Sequence, residues 1–318
     1  MRISECTTLQ DVIRTIGWED RSYMVDPMSK LGIDFSPLGK PRFEQLTLQQ
    51  VGQFSGGLKY CGVEDGLQYL VDRCKNGQVF YPFRDDRSTG IAAFPLSERK
   101  KCVIICPGGG YTNVFSLAEG YPVAAALNRM GYAAFVVHYR TFREASVPNP
   151  MDDLAQAVRF LLEHADVLNV DMVDYAVMGF SAGGHLAASF GTQSLGYARY
   201  GHPAPKCMIL GYPVITMGEH AHAVSRERLL GKQVEPELCD RYSIEKQVDS
   251  AYPRTFLWQC DADCTVPIRN SELMAQALAE NGVEYAYEVF PGDAHGWGLG
   301  LGTAAEGWLD RAVRLWTK

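Results

Sequence analysis

The chain has 318 residues, 47% of them hydrophobic and 21% charged, with a formal net charge of −7. Such a composition is ordinary for a globular protein that buries a sizeable core. The negative charge argues against nucleic acid or an acidic membrane surface as a partner, because neither is attracted to that field.

The N-terminal quarter, residues 1 to about 75, reads differently from the rest. The first thirty residues carry Asp11, Arg14, Glu19, Asp20, Arg21 and Asp26, and they lack the apolar core of a signal peptide. Thr8-Leu9-Gln10-Asp11-Val12 has the pattern of a capped helix start. Leu46-Thr47-Leu48 and Val63–Leu70 are also helix-like, with Gly, Pro and polar residues between the pieces. Residues 1–75 are therefore predicted to be an N-terminal helical extension. It could serve as a small subdomain, an arm for homo-oligomerisation or a flap over a site.

Residues 76–318 are predicted to form the main domain. From about residue 90 strand-like and helix-like runs alternate. The strand-like runs are Ile91–Phe94, Val103–Cys106, Ala133–His138, Tyr175–Met178, Lys206–Leu210, Thr255–Gln259 and Tyr285–Phe290. Helical periods fall at Tyr121–Met130, Asp152–His164, Gly184–Thr192, Asn270–Asn281 and Thr303–Trp316. This alternation predicts an α/β fold with a mostly parallel central sheet and helices on both faces. Ligands of such sheets bind at the carboxyl ends of the strands. The long connection at 211–252, with a helix-like Ser225–Leu230, is predicted to be a short cap over that edge rather than a structureless loop. No apolar run is long enough to span a membrane. Nine cysteines without paired spacing read as reduced thiols in a cytoplasmic protein.

The chemistry centres on Gly179-Phe180-Ser181-Ala182-Gly183, a G-x-S-x-G between a strand-like and a helix-like run. A strand that turns sharply into a helix lifts its serine out at the sheet edge, beside the helix N-terminus. A serine hydroxyl is a weak nucleophile and needs a base, which in turn needs an orienting acid. In sheets of this kind the chain order is Ser, acid, His. Of seven histidines only His295, in the loop after Tyr285–Phe290, follows the late acidic candidates. Those candidates are Asp261 and Asp263, after Phe256–Gln259. The following Val266-Pro267 turn favours Asp263 as the acid and leaves Asp261 as a loop cap. Asp293 is too near His295 in sequence and is expected to shape its loop.

An anion hole is expected from the N–H groups of Ala182 and of Gly109 and Gly110, in the loop Pro107-Gly108-Gly109-Gly110-Tyr111. The glycines let the amides turn inward, and the loop lacks the Lys-Ser/Thr of a phosphate-binding P-loop. Tyr111, Tyr212 and Trp297 are expected to border the pocket and bind substrate. His185 is expected to pack beneath the site, and Arg140 to pair with Asp152 or Asp153. His220 and His222 lack the partners of a metal site, and Cys260 and Cys264 lack redox spacing. No cofactor is implied.

These pieces together resemble an α/β-hydrolase of the acetyl esterase/lipase type, close to the bacterial acetyl-xylan-esterase-like carboxylesterases. The matching segments are Pro107–Tyr111, Glu119-Gly120-Tyr121-Pro122, Tyr139-Arg140, Gly179–Leu186, Asp263–Pro267 and His295-Gly296, in the family's order. Pro107 stands where many lipase-like relatives have His, and the first seventy-odd residues lie outside the resemblance. The resemblance implies a serine carboxylesterase with Ser181, Asp263 and His295 as its triad. Its expected partner is a small-molecule or oligosaccharide ester, acetyl groups on sugars in particular. Two other readings are a serine peptidase of the prolyl-oligopeptidase kind and a non-catalytic receptor on the same fold. The first would normally carry a β-propeller, for which the N-terminal stretch is too short; the second is at odds with a complete set of triad and hole residues.

Overall fold

A computed structural model of the protein describes residues 1–28, 41–54, 58–293 and 295–318. Parts of the N-terminal stretch discussed above, 29–40 and 55–57, and Ala294 lie outside the described residues. Among the described residues eight strands form one sheet, in the order β1-β2-β4-β3-β5-β6-β7-β8. They are β1 (Phe80–Pro82), β2 (Gly90–Phe94), β3 (Lys100–Cys106), β4 (Ala133–His138), β5 (Val170–Phe180), β6 (Cys207–Gly211), β7 (Arg254–Cys260) and β8 (Tyr285–Phe290). Strands β4, β3, β5, β6, β7 and β8 run parallel. The β1–β2 and β2–β4 pairs are antiparallel. The predicted α/β architecture is therefore the observed one.

The central strands are apolar almost throughout because both faces of the sheet are covered. Val103 and Ile105 of β3 face one core cluster, while Cys102, Ile104 and Cys106 face the other. In β4, Ala134 and Val136 take the first side and Ala133, Phe135 and Val137 the second. Successive side chains of a strand point oppositely, so a continuous apolar run feeds two cores.

The N-terminal helices are α1 (Leu9–Ile16), α2 (Leu48–Phe54) and α3 (Val63–Lys75). Thr8 caps α1 reciprocally: its hydroxyl accepts from the Asp11 N–H at 3.1 Å, and the Asp11 carboxylate accepts from the Thr8 N–H at 3.2 Å. Leu9, Val12, Leu67 and Leu70 join the first core cluster together with Phe94, Val103 and Ile105. Further on, the Tyr60 carbonyl accepts from the Leu301 N–H at 2.9 Å. The Cys61 thiol donates to the Gly296 carbonyl at 3.2 Å, and the Tyr60 and Trp297 rings meet edge-on at 5.7 Å. The N-terminal stretch thus packs against one face of the sheet and against the loop that carries His295.

The remaining helices are α4 (Ser116–Glu119), α5 (Tyr121–Arg129), α6 (Asn149–Glu163), α7 (Ser181–Phe190), α8 (Ala223–Leu230), α9 (Pro236–Tyr242), α10 (Arg269–Glu280) and α11 (Trp308–Thr317). Helix α7 begins at Ser181 itself, three residues before the sequence-based boundary. Helix α11 begins later than predicted, because Gly307, at its start, adopts left-handed backbone at φ +79° and the chain turns there. Three elements escaped the sequence pattern, among them the four-residue helix α4. Strand β1 is three residues long and holds a proline. Helix α9 has no buried residue, so it carries no apolar period.

Candidate active site

The carboxyl ends of β3, β5, β6, β7 and β8 lie along one sheet edge, and each feeds a loop of the site. At the end of β5 the chain passes into α7 through Ser181, whose φ of +53° is strained for a residue with a side chain. The flanking glycines make the turn possible. A Cβ on Gly179 would overlap the carbonyl oxygen of Gly183, and one on Gly183 would overlap the carbonyls of Cys106 and Pro107. Strand, helix and neighbouring strand end approach too closely for any side chain there.

Peptide geometry orients the amides around Ser181. In a trans peptide the C=O and the next N–H point in opposite directions. The Gly108 carbonyl accepts from the Phe115 N–H at 2.9 Å, so the Gly109 N–H points the other way. The Gly109 carbonyl accepts from Thr112 and Asn113, at 2.9 and 3.2 Å, which turns the Gly110 N–H likewise. The Ser181 carbonyl accepts from the Val214 N–H at 2.9 Å and so directs the Ala182 N–H away from it. Gly109 and Gly110, at φ +127° and +63°, hold conformations that suit glycine, and their N–H groups find no acceptor among the described residues.

His295 Nε2 lies 2.8 Å from Ser181 Oγ, and its Nδ1 lies 2.7 Å from Asp263 Oδ2. Ser181 and Asp263 are 6% and 8% exposed. Burial pushes the Asp263 carboxyl up, but the His295 hydrogen bond and charge, with the Val266 and Thr265 amides, outweigh it and hold the group below the usual range. The amide bonds, 2.9 Å from Thr265 and 3.0 Å from Val266, both go to Oδ1. Asp263 therefore offers Oδ2 to the imidazole and Oδ1 to its own turn. Asp261 is exposed and accepts from the Gly292 N–H at 3.0 Å, a loop cap as expected. The Asp293 carbonyl accepts from the Cys264 thiol at 3.6 Å.

A cleft of about 220 Å³ opens over Ser181 and His295. Gly109, Gly110 and Glu119 line it, with Leu58, Phe115 and Ala118 as its apolar part and His222 and Thr265 as its polar part. The three aromatics expected to border it lie behind its wall. Tyr111 and Tyr212 are each 1% exposed, and Trp297 is 6% exposed. Their polar or ring contacts face inward: Tyr111 reaches His185 Nδ1 at 2.9 Å, Tyr212 reaches Glu119 Oε1 at 2.7 Å, and Trp297 meets Tyr60. His222 and Glu119 also line the cleft, where the sequence had weighed His222 only as a metal ligand and Glu119 only as part of a matching segment. His222 Nδ1 lies 2.8 Å from Ser225 Oγ, and burial lowers its pKa. Burial raises the Glu119 carboxyl, against the pull of the Tyr212 hydroxyl and the Gly108 N–H.

Arg140 pairs with Asp153 at 3.0 Å, donates to the Asn149 carbonyl, and lies away from the cleft. His220 is exposed. Among the described residues no cluster of His, Cys, Asp or Glu could hold a metal, no disulfide forms, and no helix is long and apolar enough to cross a membrane.

His185, beneath the elbow, has a measurable signature. Its Nε2 meets the Tyr242 carbonyl at 2.8 Å and so carries the hydrogen, leaving Nδ1 to accept from Tyr111. Burial pushes this imidazole down to about 4 from 6.5. Its contribution to stability is therefore complete above pH 6.5 and is lost as pH falls through the window from 6.5 to about 4. The full loss is on the order of 3 kcal/mol. Urea midpoints at pH 7 and 4.5 should fall more steeply for the native protein than for His185→Leu. Parallel losses would show that this imidazole protonates freely in the fold.

A mostly parallel sheet with a strand–serine–helix elbow at its carboxyl edge defines an α/β-hydrolase. Comparison with known proteins narrows this. The BD-FAE family model matches residues 94–199. The chain is 37% identical over 219 residues to endo-1,4-beta-xylanase B of Butyrivibrio fibrisolvens, covering 66% of this chain and 34% of that protein. It is 32% identical over 221 residues to an acetylxylan esterase of Xylanibacter ruminicola, covering 68% and 45%. The chain thus spans less than half the length of these curated relatives. A solved structure, the acetyl ester-xyloside bifunctional hydrolase of Caldicellulosiruptor lactoaceticus, superposes with a TM-score of 0.62 at 35% identity, covering 71% of this chain and 85% of that one. The chain belongs to the α/β-hydrolases of the acetyl-esterase type.

Proposed function

We propose that the protein is a serine carboxylesterase that removes short acyl groups, chiefly acetyl, from hydroxyl-rich alcohols such as sugars. The observation that carries this reading is the continuous relay from Ser181 Oγ through His295 to Asp263, with hydrogen bonds of 2.8 and 2.7 Å. Ser181 attacks the ester carbonyl while His295 Nε2 takes its proton. Asp263 stabilises the imidazolium that forms. The N–H groups of Gly109, Gly110 and Ala182 receive the negative charge on the former carbonyl oxygen. His295 then protonates the leaving alcohol. In the second half it activates water, which releases the acid and restores Ser181.

Two features support the substrate class. The cleft, at about 220 Å³, suits a small acyl group rather than a long chain. His222 and Thr265 give it a polar flank for a hydroxylated leaving group, in keeping with the xylan-related names of the relatives. A series of p-nitrophenyl esters should peak in kcat/KM at acetate or propionate and fall by at least about tenfold at octanoate, one decade being about 1.4 kcal/mol of transition-state binding. Acetylated xylo-oligosaccharides should then be deacetylated. Peak activity on long chains would overturn the short-acyl reading.

A further inference from the structure

Glu119 is a buried carboxyl group that takes no step in this chemistry. It ends α4, is 5% exposed, and lines the cleft without bonding to Ser181, His295 or Asp263. Its Oε2 accepts from the Gly108 N–H at 2.6 Å, and its Oε1 accepts from the Tyr212 hydroxyl at 2.7 Å. Tyr212 Oη in turn accepts from the Gly298 N–H at 3.0 Å. The phenolic hydrogen is therefore committed to Glu119. Both carboxyl oxygens face donors, which favour the ionised form against the opposing effect of burial.

We propose that Glu119 is a positioning residue that ties the glycine loop to the histidine loop, fixing the anion hole relative to the base. The proposal rests on the serine-esterase reading above. Three segments meet at this carboxylate: the loop after β3 through Gly108, the loop after β6 through Tyr212, and, through Tyr212, the loop after β8 at Gly298. With its N–H held by Glu119 and its carbonyl held by Phe115, Gly108 has both adjoining peptide planes fixed. The plane on its carbonyl side is the one that aims the Gly109 N–H. A Cβ on Gly108 would approach Ser181 Cβ to 2.8 Å and Glu119 Oε2 to 2.9 Å, so the tie sits against the reacting serine. At its other end the Tyr212 ring packs edge-on to the His295 ring, with centroids 4.9 Å apart. Tyr212 is itself pinned, at a strained φ of +36°, by its N–H bond to the Trp258 carbonyl at 2.6 Å.

Glutamine at 119 would offer one acceptor and set its amide hydrogens against a donor. Aspartate, a methylene shorter, would not reach both partners. A preorganised hole acts on the transition state and not on the bound ester. The test is therefore a kcat-against-KM split for Glu119→Gln and Tyr212→Phe in the full chain, with p-nitrophenyl acetate. Glu119→Gln should lower kcat by about 10²-fold, with KM within about threefold. Tyr212→Phe, which cuts one link, should lower kcat by about tenfold with the same split. Affinity for a boronic acid, which forms a tetrahedral adduct on the serine, should fall in proportion to kcat/KM. Tyr212→Phe decides the matter if Glu119→Gln yields no folded protein. The proposal is overturned if kcat stays within threefold, if the loss lies in KM alone, or if boronate affinity is unmoved. A native protein that resists fluorophosphonate labelling would remove the serine mechanism itself. A labelled native protein with unaffected variants would remove only the role of Glu119.

Discussion

Ser181→Ala is expected to lower kcat on p-nitrophenyl acetate by roughly 10⁶-fold, as in enzymes where the nucleophile works as one unit with its base. The substitution keeps the Cβ and the backbone, so the elbow and its glycine contacts persist. What disappears is the oxygen 2.8 Å from His295 Nε2, the only hydroxyl of the relay. The hole amides are untouched, so residual hydrolysis by water should remain measurable above the uncatalysed rate. Binding of an acetylated ligand should be near native, because the cleft walls do not change. Turnover within tenfold of native would show that another group attacks the ester and would sink the assignment of Ser181.

Asp263→Asn is expected to lower kcat by about 10⁴-fold, or roughly 5.5 kcal/mol of transition-state stabilisation. Asp263 Oδ2 accepts from His295 Nδ1, which leaves Nε2 unprotonated toward Ser181. An asparagine amide can donate to Nδ1 instead, selecting the tautomer whose Nε2 already carries a hydrogen. That tautomer cannot take the serine proton. The neighbouring control is Asp261→Asn. Its side chain can still accept from the Gly292 N–H, so kcat should stay within about threefold. Equal losses at the two positions would mean that the acid had been chosen wrongly between them.

The candidate site was legible in the sequence where chain order constrains chemistry. One serine in an elbow, two aspartates after a late strand and one histidine beyond them left little freedom, and the structure brings Ser181, Asp263 and His295 within hydrogen-bond reach. The glycine run before Tyr111 was equally readable, since amides that face inward need backbone without side chains. Side-chain direction was not readable. Tyr111, Tyr212 and Trp297 each adjoin a site loop, yet they turn inward, because the phenols find buried partners and the indole finds Tyr60. Glu119 stands in a recognised segment, but its task depends on Tyr212 and Gly298, distant in sequence and adjacent only in the fold. His222 was weighed as a metal ligand; its place on the cleft wall follows from how the 211–252 connection folds over the edge. The boundary of α11 failed for a local reason, a glycine with left-handed backbone, Gly307, inside an apolar period.

The bonds from Tyr60 and Cys61 to the loop of His295 have a consequence for biosynthesis. Cys61 and Gly296 are 235 residues apart. A ribosome adding about 5–20 residues per second separates their emergence by roughly 12–47 s. Throughout that interval the residues whose apolar face packs on the sheet already exist, while the loop that completes the site does not. Nascent chains held short of residue 296 should therefore be esterolytically silent, however well folded their first two hundred residues are.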